Sequence, residues 1–259
     1  MRRDETETAL LETRGLTVRF GGHVAVDGVS CRFREGELTA IVGPNGAGKT
    51  TYFNLVSGQI RASAGRVLLE GRDVTRLSAS ARTRRGMGRA FQLTNLFPGL
   101  SVLENVRLAM QAREGRGFRM FSRAMGDWEL LDEAERLLQQ VRLLSLAEMP
   151  VTALSHGDQR KLEVALLMAL EPRVFMFDEP TAGMSADEAP HVLDLVAGLK
   201  GQPGRTVLLV EHKMDVIREL ADRIIVLHNG VLLADGPPDE VMDSEIVQEV
   251  YMGQALTDV

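Results

Sequence analysis

Cysteine is almost absent from this chain, since Cys31 is the only one among 259 residues. A single cysteine excludes an intrachain disulfide, and a chain without a disulfide framework is typical of a reducing compartment. Long apolar runs are absent too: the longest, residues 164–170, is far shorter than the ~20 residues that a transmembrane helix needs. The charged segment Met1–Thr8 lacks the apolar stretch of a secretory signal. We therefore expect a soluble chain that reaches a membrane only through a partner.

An excess of basic residues is also lacking, because the formal net charge is -6. Proteins whose main partner is nucleic acid usually carry a basic excess, so the composition argues against that class. Hydrophobic residues make up 44% of the chain and charged residues 25%, which is ordinary for a globular protein. The length suits one large domain, or a domain with a subdomain, and we expect a single domain over residues 1–259.

The sequence does contain a glycine-rich loop between a predicted strand and a predicted helix. Residues 43–51 fit the pattern G-x-x-x-x-G-K-[ST], with the apolar segment 38–42 before it and a helical segment, 51–56, after it. The glycines let backbone N–H groups approach phosphate oxygens, and the helix start adds unpaired N–H groups and a positive dipole end. Lys49 is expected to reach the β- and γ-phosphates, and the Thr50 hydroxyl to hold Mg²⁺. The alternative, a glycine-rich turn with an exposed lysine, does not explain the spacing and the flanking elements together.

A second segment, residues 174–179, combines an apolar run with two carboxylates, Asp178 and Glu179. An apolar run without alternation suits a strand that is buried on both faces of a parallel sheet. The carboxyl end of such a strand is where open α/β sheets place their ligands. Asp178 would bind Mg²⁺, directly or through water, and Glu179 would accept a proton from the water that attacks the γ-phosphate. The alternative is an acidic pair that caps the next element.

Further polar residues stand at the ends of other predicted elements. Gln92 lies at a strand-to-loop junction, where it is either a surface glutamine or a ligand of Mg²⁺ or of the attacking water. His212 follows the buried strand 206–210 and is either structural or a contact of the γ-phosphate that steadies Glu179. Ser155 and Gly157 open a helix and form a second anion site there. One chain would thus hold two phosphate-binding helix starts.

The rest of the pattern outlines the organisation of the domain. Residues 16–20 and 24–33 read as an antiparallel pair of strands. Phe20, at the end of the first strand, is either a core or cross-strand residue, which periodicity alone favours, or an aromatic that could stack on an adenine. A capping box, Ser101–Glu104, opens a helix, and apolar residues then recur at helical spacing. We therefore predict an inserted helical subdomain over 93–157, and short helices in the tail, 237–259.

Three smaller features complete this outline. The basic segment Arg82–Arg85 reads as a solvated helix end, and Ser185–Glu188 as a capping box that starts a helix running to about Lys200. Residues 111–124 carry arginines, glycines and phenylalanines, which favours a mobile basic loop over a contact with a partner protein or with lipid headgroups.

Taken together, these motifs resemble the ATP-binding subunit of ABC transporters over nearly the whole chain. The matching segments are the Walker A loop (43–51), the Q-loop glutamine (Gln92), the signature motif (154–159), Walker B (174–178) with the catalytic glutamate (Glu179), the D-loop (181–185) and the switch histidine (His212). Six motifs in the right order are far more specific than any one of them. The resemblance implies an α/β fold: a P-loop NTPase core with a mainly parallel sheet, an N-terminal antiparallel β part and the inserted helical subdomain.

The resemblance also implies the roles of individual residues. Phe20 would stack on the adenine, and Glu179, His212, Gln92 and Lys49 would act in catalysis. Thr50, Gln92 and Asp178 would hold the Mg²⁺ of Mg-ATP. The remaining nucleotide contacts would be Gly43, Asn45, Gly46, Ala47, Gly48, Thr51, Ser155 and Gly157.

The family works as an assembly, and the resemblance extends to the partners. Two ATP-binding subunits, identical or different, would pair head to tail, so that the signature helix of one completes the phosphate site of the other. They would drive transmembrane permease subunits, and indirectly serve a substrate-binding protein, from the cytoplasmic face of the cell membrane. No nucleic-acid partner is expected.

Within the family, the chain looks most like subunits of branched-chain amino-acid importers. The cues are residues 19–22, the insertion around 115–125 and the ending 250–253. Subunits for urea or short-amide uptake and for lipopolysaccharide export are similar alternatives. A soluble ABC ATPase of translation or DNA repair is disfavoured, because the chain has one set of motifs and no sustained heptads. Two departures from the family pattern stand out: His156 replaces the first glycine of Leu-Ser-Gly-Gly-Gln, and Ser185 replaces the aspartate that ends the D-loop.

Overall fold

The computed structural model describes residues 9–90, 96–114 and 127–255, and the chain divides into two compact units. The first unit comprises Met1–Met87, Arg173–Glu179 and Leu199–Val259. The second comprises Gly88–Pro172 and Pro180–Gly198. Within the described ranges, no helix has both the length and the apolar character needed to cross a membrane. Gln92 and residues 115–124 of the basic segment 111–124 lie outside the described residues.

Strands and helices follow one another along the chain with these bounds. The strands are β1 Ala9–Phe20, β2 His23–Arg34, β3 Leu38–Val42, β4 Ala64–Leu69, β5 Arg72–Asp73, β6 Met87–Arg89, β7 Val174–Asp178, β8 Thr206–Val210, β9 Arg223–His228 and β10 Val231–Gly236. The helices are α1 Lys49–Ser57, α2 Ala79–Thr83, α3 Val102–Arg113, α4 Asp127–Gln140, α5 His156–Ala169, α6 Ala189–Ala197, α7 Met214–Leu220, α8 Pro238–Met242 and α9 Glu245–Ala255.

An antiparallel sheet with the strand order β2-β1-β4-β5 forms one part of the first unit. The predicted antiparallel pair is confirmed, but β1 starts at Ala9, well before the predicted Leu16. Four register shifts along its pairing with β2, including those between Thr13 and Leu16 and between Leu16 and Val18, break the alternation of buried and exposed residues. Such irregularities bend a strand and disturb its period of two, so the early part of β1 lacked a recognisable pattern.

A second sheet supplies the edge at which the predicted site residues stand. Within the first unit its strands lie in the order β10-β9-β3-β8-β7. β3 pairs in parallel with β8 and β9, and β7 pairs in parallel with β8, whereas β10 is antiparallel to β9. All residues of β3 and β8 are buried, as their continuous apolar sequences predicted. The predicted mainly parallel sheet is confirmed, and the carboxyl ends of β3, β7 and β8 meet at one edge.

The described part of the second unit is mainly helical. Ser101 is the N-cap of α3, and its hydroxyl accepts a hydrogen bond from the Glu104 N–H at 3.2 Å, so the predicted helix start is confirmed. Ala134 and Leu138 of α4 are fully buried in a core shared with α3 and α5. Trp128, near the start of the same helix, is 61% exposed, whereas Leu130 in the same turn is buried in the core.

The expectation that Arg82 lies at a solvated helix end is wrong. Only 2% of Arg82 is exposed, and its guanidinium donates hydrogen bonds to four backbone oxygens. Two of them, Leu55 O at 2.8 Å and Val56 O at 2.6 Å, belong to the last turn of α1. The last carbonyls of a helix have no partner within it and carry the negative end of its dipole. Arg82 therefore caps the carboxyl end of the helix that begins at Lys49.

The capping box at Ser185 is also wrong. α6 begins at Ala189 and ends at Ala197, and its N-cap residue, Glu188, makes no side-chain capping bond. The Ser185 hydroxyl instead donates to the Glu188 carboxylate at 3.0 Å. The serine and the glutamate, three residues apart, hydrogen-bond to each other through their side chains instead of to the backbone. The sequence pattern alone does not distinguish this arrangement from a capping box.

The burial of the single cysteine, Cys31, predicts a low reactivity of its thiol. Cys31 is 3% exposed, and burial raises the pKa of its thiol to about 11 from an ordinary value of 9.0. Because the thiolate is the reactive form, a rise of that size lowers the reactive fraction at pH 8 about 100-fold. We expect iodoacetamide at pH 8 to label the native chain about 100-fold more slowly than the chain unfolded in guanidinium. Cys31→Ala gives the background, and equal rates in the two states would contradict the buried thiol.

Candidate functional site

The loop between β3 and α1 has a backbone that only glycine permits at two positions. Gly43 has φ 147°, and a Cβ atom there would stand 2.1 Å from the carbonyl oxygen of Leu227. Gly48, the N-cap of α1, has φ 97°, and its Cβ would stand 2.6 Å from Ala25 O. Both φ angles are positive, in a range that residues with a side chain rarely adopt. The loop therefore needs glycine at these positions, both for its backbone conformation and for its close approach to neighbouring backbone atoms.

The loop borders a cleft of about 270 Å³. The residues that line this cleft are His23, Ala25, Asn45, Gly46, Ala47, Gly48, Lys49, Thr50, Thr51 and Glu179. The structure thus brings most of the predicted nucleotide-contacting residues together with the predicted general base. At the start of α1 the backbone N–H groups lack partners within the helix and the dipole is positive, so the cleft favours an anion.

Lys49 is held at the base of the loop. Its ammonium donates hydrogen bonds to Gly43 O at 2.6 Å and Pro44 O at 2.9 Å. Burial lowers the pKa of Lys49, while the charges of Glu179 and Asp178 oppose that effect. Both carboxylates therefore stand close enough to Lys49 to act on its charge. A partly desolvated ammonium attracts a phosphate more strongly than one surrounded by water.

Glu179 owes its direction to an unusual backbone conformation. Asp178 is the last residue of β7 and pairs with Val210 of β8. Glu179 then has φ 50°, in the left-handed region, and its N–H donates to Val210 O at 2.9 Å. A non-glycine residue is uncommon in that region and costs energy there, as is seen at functional sites. This turn takes the chain out of the sheet and places Glu179 on the wall of the cleft.

The end of β8 contains a carboxylate that the sequence reasoning missed. Glu211 is 1% exposed, and its Oε1 atom accepts the backbone N–H of His212 at 3.1 Å. His212 Nδ1 lies 3.5 Å from the same atom, and the ring itself is well exposed. Glu211 directly follows its strand, as Asp178 ends its own, so its position was the available signal. It fixes the backbone on which the predicted switch histidine stands.

Phe20 is the last residue of β1, directly before the turn to β2 in the same unit. Phe20 is 49% exposed, so it is a cross-strand residue rather than a core residue, and it is not among the residues that line the cleft. It pairs across the turn with His23, which lines the cleft, as does Ala25. Neither His23 nor Ala25 carried a sequence signal of its own. Pairing across a short turn is what places them near the loop.

The second predicted anion site lies in the second unit. Ser155 is the N-cap of α5, and its hydroxyl accepts the Asp158 N–H at 3.1 Å. Gly157, in the first turn of α5, is buried. The helix starts at His156, earlier than the predicted Arg160. Ser155 is thus a helix N-cap as predicted, and the residue is exposed.

The donors near the loop suit a metal ion that arrives with a nucleotide. Among residues 9–90, 96–114 and 127–255, no group of three or more His, Cys, Asp or Glu side chains could hold a metal ion. Mg²⁺ bound with phosphates needs only one or two protein oxygens, and phosphates and waters supply the rest. Thr50, in the first turn of α1, and Asp178, at the end of β7, offer such oxygens.

A glycine loop that joins a parallel strand to a helix, with carboxylates at the end of a further parallel strand, defines a P-loop nucleotide-binding protein. Comparison with known families is more specific: the family model described as "ABC transporter" matches residues 26–182. The chain belongs to this family, as an ATP-binding subunit whose ATPase activity is coupled to transport.

Curated relatives match the chain along nearly its full length. It is 36% identical over 253 residues to the "High-affinity branched-chain amino acid transport ATP-binding protein BraF" of Pseudomonas aeruginosa, covering 95% of this chain and 98% of that protein. It is 37% identical over 253 residues to the corresponding protein LivG of Salmonella typhimurium, with the same coverage.

Solved structures agree with this assignment. The ADP conformation of MJ1267, "an ATP-binding cassette of an ABC transporter", has a TM-score of 0.79 and 28% identity, covering 95% of this chain and 99% of that one. The dimeric post-hydrolysis state of the ATP-binding cassette MJ0796, bound to ADP and Pi, has a TM-score of 0.74 and 26% identity, covering 88% and 98%. The predicted P-loop NTPase fold is confirmed.

Proposed function

We propose that this chain powers the uptake of branched-chain or closely related amino acids. The observation that carries the proposal is the identity of 36% and 37%, over 95% of the chain, to ATP-binding proteins named for branched-chain amino-acid transport. The ATP-binding subunit does not contact the transported molecule. The geometry of the cleft therefore supports ATP as the energy source but carries no information on the transported substrate.

The cleft supports Mg-ATP as the nucleotide. The loop residues 43–51 would wrap the phosphates, with Lys49 against the β- and γ-phosphates. Thr50, Asp178 and Gln92 would hold Mg²⁺, which neutralises phosphate charge when it is bound. Glu179 would take the proton of the attacking water, steadied by His212. Phosphoryl transfer depends mainly on positioning and on charge stabilisation, and this set of residues supplies both.

We further propose that two such subunits, identical or related, share each nucleotide between them. The chain carries a second helix start, with Ser155 and Gly157, in addition to the loop of α1. A head-to-tail pair would place Ser155 of one chain against the γ-phosphate bound by the other. The solved dimer of the related cassette MJ0796 with ADP and Pi supports such pairing. The pair would act on permease subunits from the cytoplasmic face of the membrane, and indirectly with a substrate-binding protein.

The domain organisation that accompanies this function is also a proposal. Residues 1–259 would form one ABC ATPase domain, with residues 93–157 as the inserted helical subdomain and 237–259 as a helical tail. The helices α3 and α4 within the first range, and α8 and α9 within the second, support it.

A transport measurement tests the proposal. We would reconstitute the full chain with the permease subunits encoded beside it and measure ATP-driven uptake of labelled leucine into proteoliposomes. The variant Lys49→Ala, which removes the ammonium at the loop, should abolish uptake and serves as the control. Uptake of urea or a short amide instead of leucine, or release of lipopolysaccharide, would contradict the amino-acid assignment and leave the ATPase assignment intact.

The proposed adenine platform gives a separate prediction. Phe20→Ala should weaken ATP binding about 5- to 160-fold, since stacking of a base on an aromatic ring is worth about 1–3 kcal/mol. The measurement is the dissociation constant of ATP for the isolated chain. Phe97→Ala is the matched control, because Phe97 is similarly exposed, at 53%, but belongs to the second unit, whereas Phe20 pairs with His23 of the cleft lining. An unchanged affinity for Phe20→Ala would remove Phe20 from the nucleotide site.

A further inference from the structure

Five charged or hydroxyl side chains form a continuous network beside the start of α5. The Ser155 hydroxyl donates to Asp158 Oδ2 at 2.8 Å, and Lys161 Nζ donates to Asp158 Oδ1 at 2.9 Å. The same ammonium donates to Glu188 Oε1 at 2.8 Å. Glu188 Oε2 in turn accepts the Ser185 hydroxyl at 3.0 Å. One lysine therefore links the signature serine to the residue that ends the D-loop.

This network contains a third departure from the family pattern. Counted from Leu154, the pattern Leu-Ser-Gly-Gly-Gln places its glutamine at Asp158, and not at Gln159. Asp158 is a carboxylate at a helix start that is proposed to receive a phosphate. Two negative groups repel, so an uncompensated Asp158 would oppose the approach of the nucleotide. Asp158 has a second unfavourable effect: it accepts the hydroxyl proton of Ser155, which is then not directed towards a phosphate.

Glu188 brings a second negative charge to the same place. A Cβ atom on Gly157 would lie 2.6 Å from Glu188 Oε2, so the carboxylate presses against the backbone of the helix start. The formal charge of Asp158, Lys161 and Glu188 together is -1, and without the lysine it would be -2. Lys161 is only 9% exposed, whereas the side chains of Asp158 and Glu188 are 22% and 34% exposed, so the buried ammonium is the direct counter-charge of two partly solvated carboxylates.

The ionisation of the group agrees with this arrangement. Burial opposes the charged form of Lys161, but its hydrogen bonds to Glu188 and Asp158 outweigh burial and raise its pKa. The hydrogen bond from Lys161, followed by that from Ser185, lowers the pKa of Glu188. All three groups therefore carry their full charges at neutral pH.

We infer that Lys161 is a positioning residue for the proposed shared site: it neutralises Asp158 and Glu188 and ties the end of the D-loop to the signature helix start, so that this helix start can accept the γ-phosphate bound by a second chain. The inference rests on the proposed head-to-tail function. Lys161 would not touch the nucleotide itself; it acts through Asp158 and Ser155.

Charge neutralisation can be separated from a merely structural role by three variants of the full chain. Lys161→Met should lower ATP turnover about 10- to 100-fold, as displacement of a positioning group does. ATP binding by the single chain, through its own loop, should not change. The variant that combines Lys161→Met with Asp158→Asn and Glu188→Gln has no net charge at these positions and should regain most of the turnover. Arg136→Gln is the control, because it removes an ion pair with Asp132 in which both side chains are exposed.

The charge argument is overturned if the triple variant is as slow as Lys161→Met, with both chains folded as judged by circular dichroism. It is also overturned if Lys161→Met keeps normal turnover. Should Lys161→Met fail to fold, Lys161→Arg, which keeps the positive charge, and the triple variant, which carries no charge at these positions, replace it. Both should keep turnover within a few-fold of the native chain, and a loss as large as that of Ser155→Arg would refute the inference.

Mixing of chains separates failure of this inference from failure of the proposed function. Lys49→Ala damages the loop of its own chain, and Lys161→Met would damage the helix start offered to the other chain. In a mixed pair both defects fall in one site and the second site is intact, so mixing two weak variants should raise activity above their sum. If Lys49→Ala gains activity with Ser155→Arg but not with Lys161→Met, Lys161 has no role in the shared site. If neither mixture gains activity, the shared site itself is refuted, and the role of Lys161 with it.

Discussion

Glu179→Gln is expected to bind Mg-ATP with near-normal affinity and to lose almost all turnover. The substitution keeps the size and the hydrogen-bonding capacity of the side chain but removes the carboxylate that accepts a proton. General base catalysis contributes about 10²- to 10⁴-fold to a rate, and the loss should fall in that range. The left-handed backbone at Glu179, φ 50°, should be unaffected, because glutamine has the same steric demands.

Two measurements on the same protein check this expectation: steady-state phosphate release and the dissociation constant of ATP. Glu219→Gln on α7 is the matched control, since Glu219 is an exposed glutamate of the first unit that does not line the cleft. Loss of turnover that is accompanied by an equal loss of ATP affinity would point to a damaged site. Near-normal hydrolysis by Glu179→Gln would remove the general-base role and direct attention to Asp178 or His212.

The site could be predicted wherever a local pattern carries the chemistry. The glycine loop is such a pattern, because a turn with these backbone angles accepts only glycine at Gly43 and Gly48. The positions of the carboxylates Asp178 and Glu179 could be predicted for a topological reason. The apolar run of β7, which does not alternate with polar residues, indicates a buried parallel strand, and parallel strands end at one edge of the sheet.

Contacts between residues distant in sequence left no such pattern. Arg82 lies 27 residues from Leu55, whose carbonyl it caps, and nothing in the basic run 82–85 distinguishes the buried arginine from its exposed neighbours. Lys161 and Glu188 are likewise 27 positions apart and meet only in the fold. Glu188 was assigned instead to a local capping box, because a short-range explanation was available and the long-range one was not.

Removal of the buried guanidinium should have the largest effect on stability. Arg82→Met leaves the carbonyl oxygens of Leu55, Val56 and Thr75 without their charged donor in a buried place. An unsatisfied buried polar group costs about 1–3 kcal/mol, while removal of the buried charge itself returns part of that cost, so we expect a loss of about 3 kcal/mol in the free energy of unfolding. For a chain of this size such a loss lowers the melting temperature by about 6–12 °C.

The same variant tests whether the carboxyl end of α1 governs the phosphate loop at its amino end. Arg84→Met is the control, since Arg84 is the exposed neighbour and its loss should change stability by no more than about 0.5 kcal/mol. Urea unfolding followed by circular dichroism measures both, and equal midpoints would contradict the capping role. Lys49 lies in the first turn of α1, and Arg82 donates to a carbonyl oxygen in its last turn. If loss of Arg82 loosens α1, the variant should bind ATP less tightly even well below its melting temperature. Native affinity in Arg82→Met would show that the loop keeps its shape without this cap, and would confine the role of Arg82 to stability.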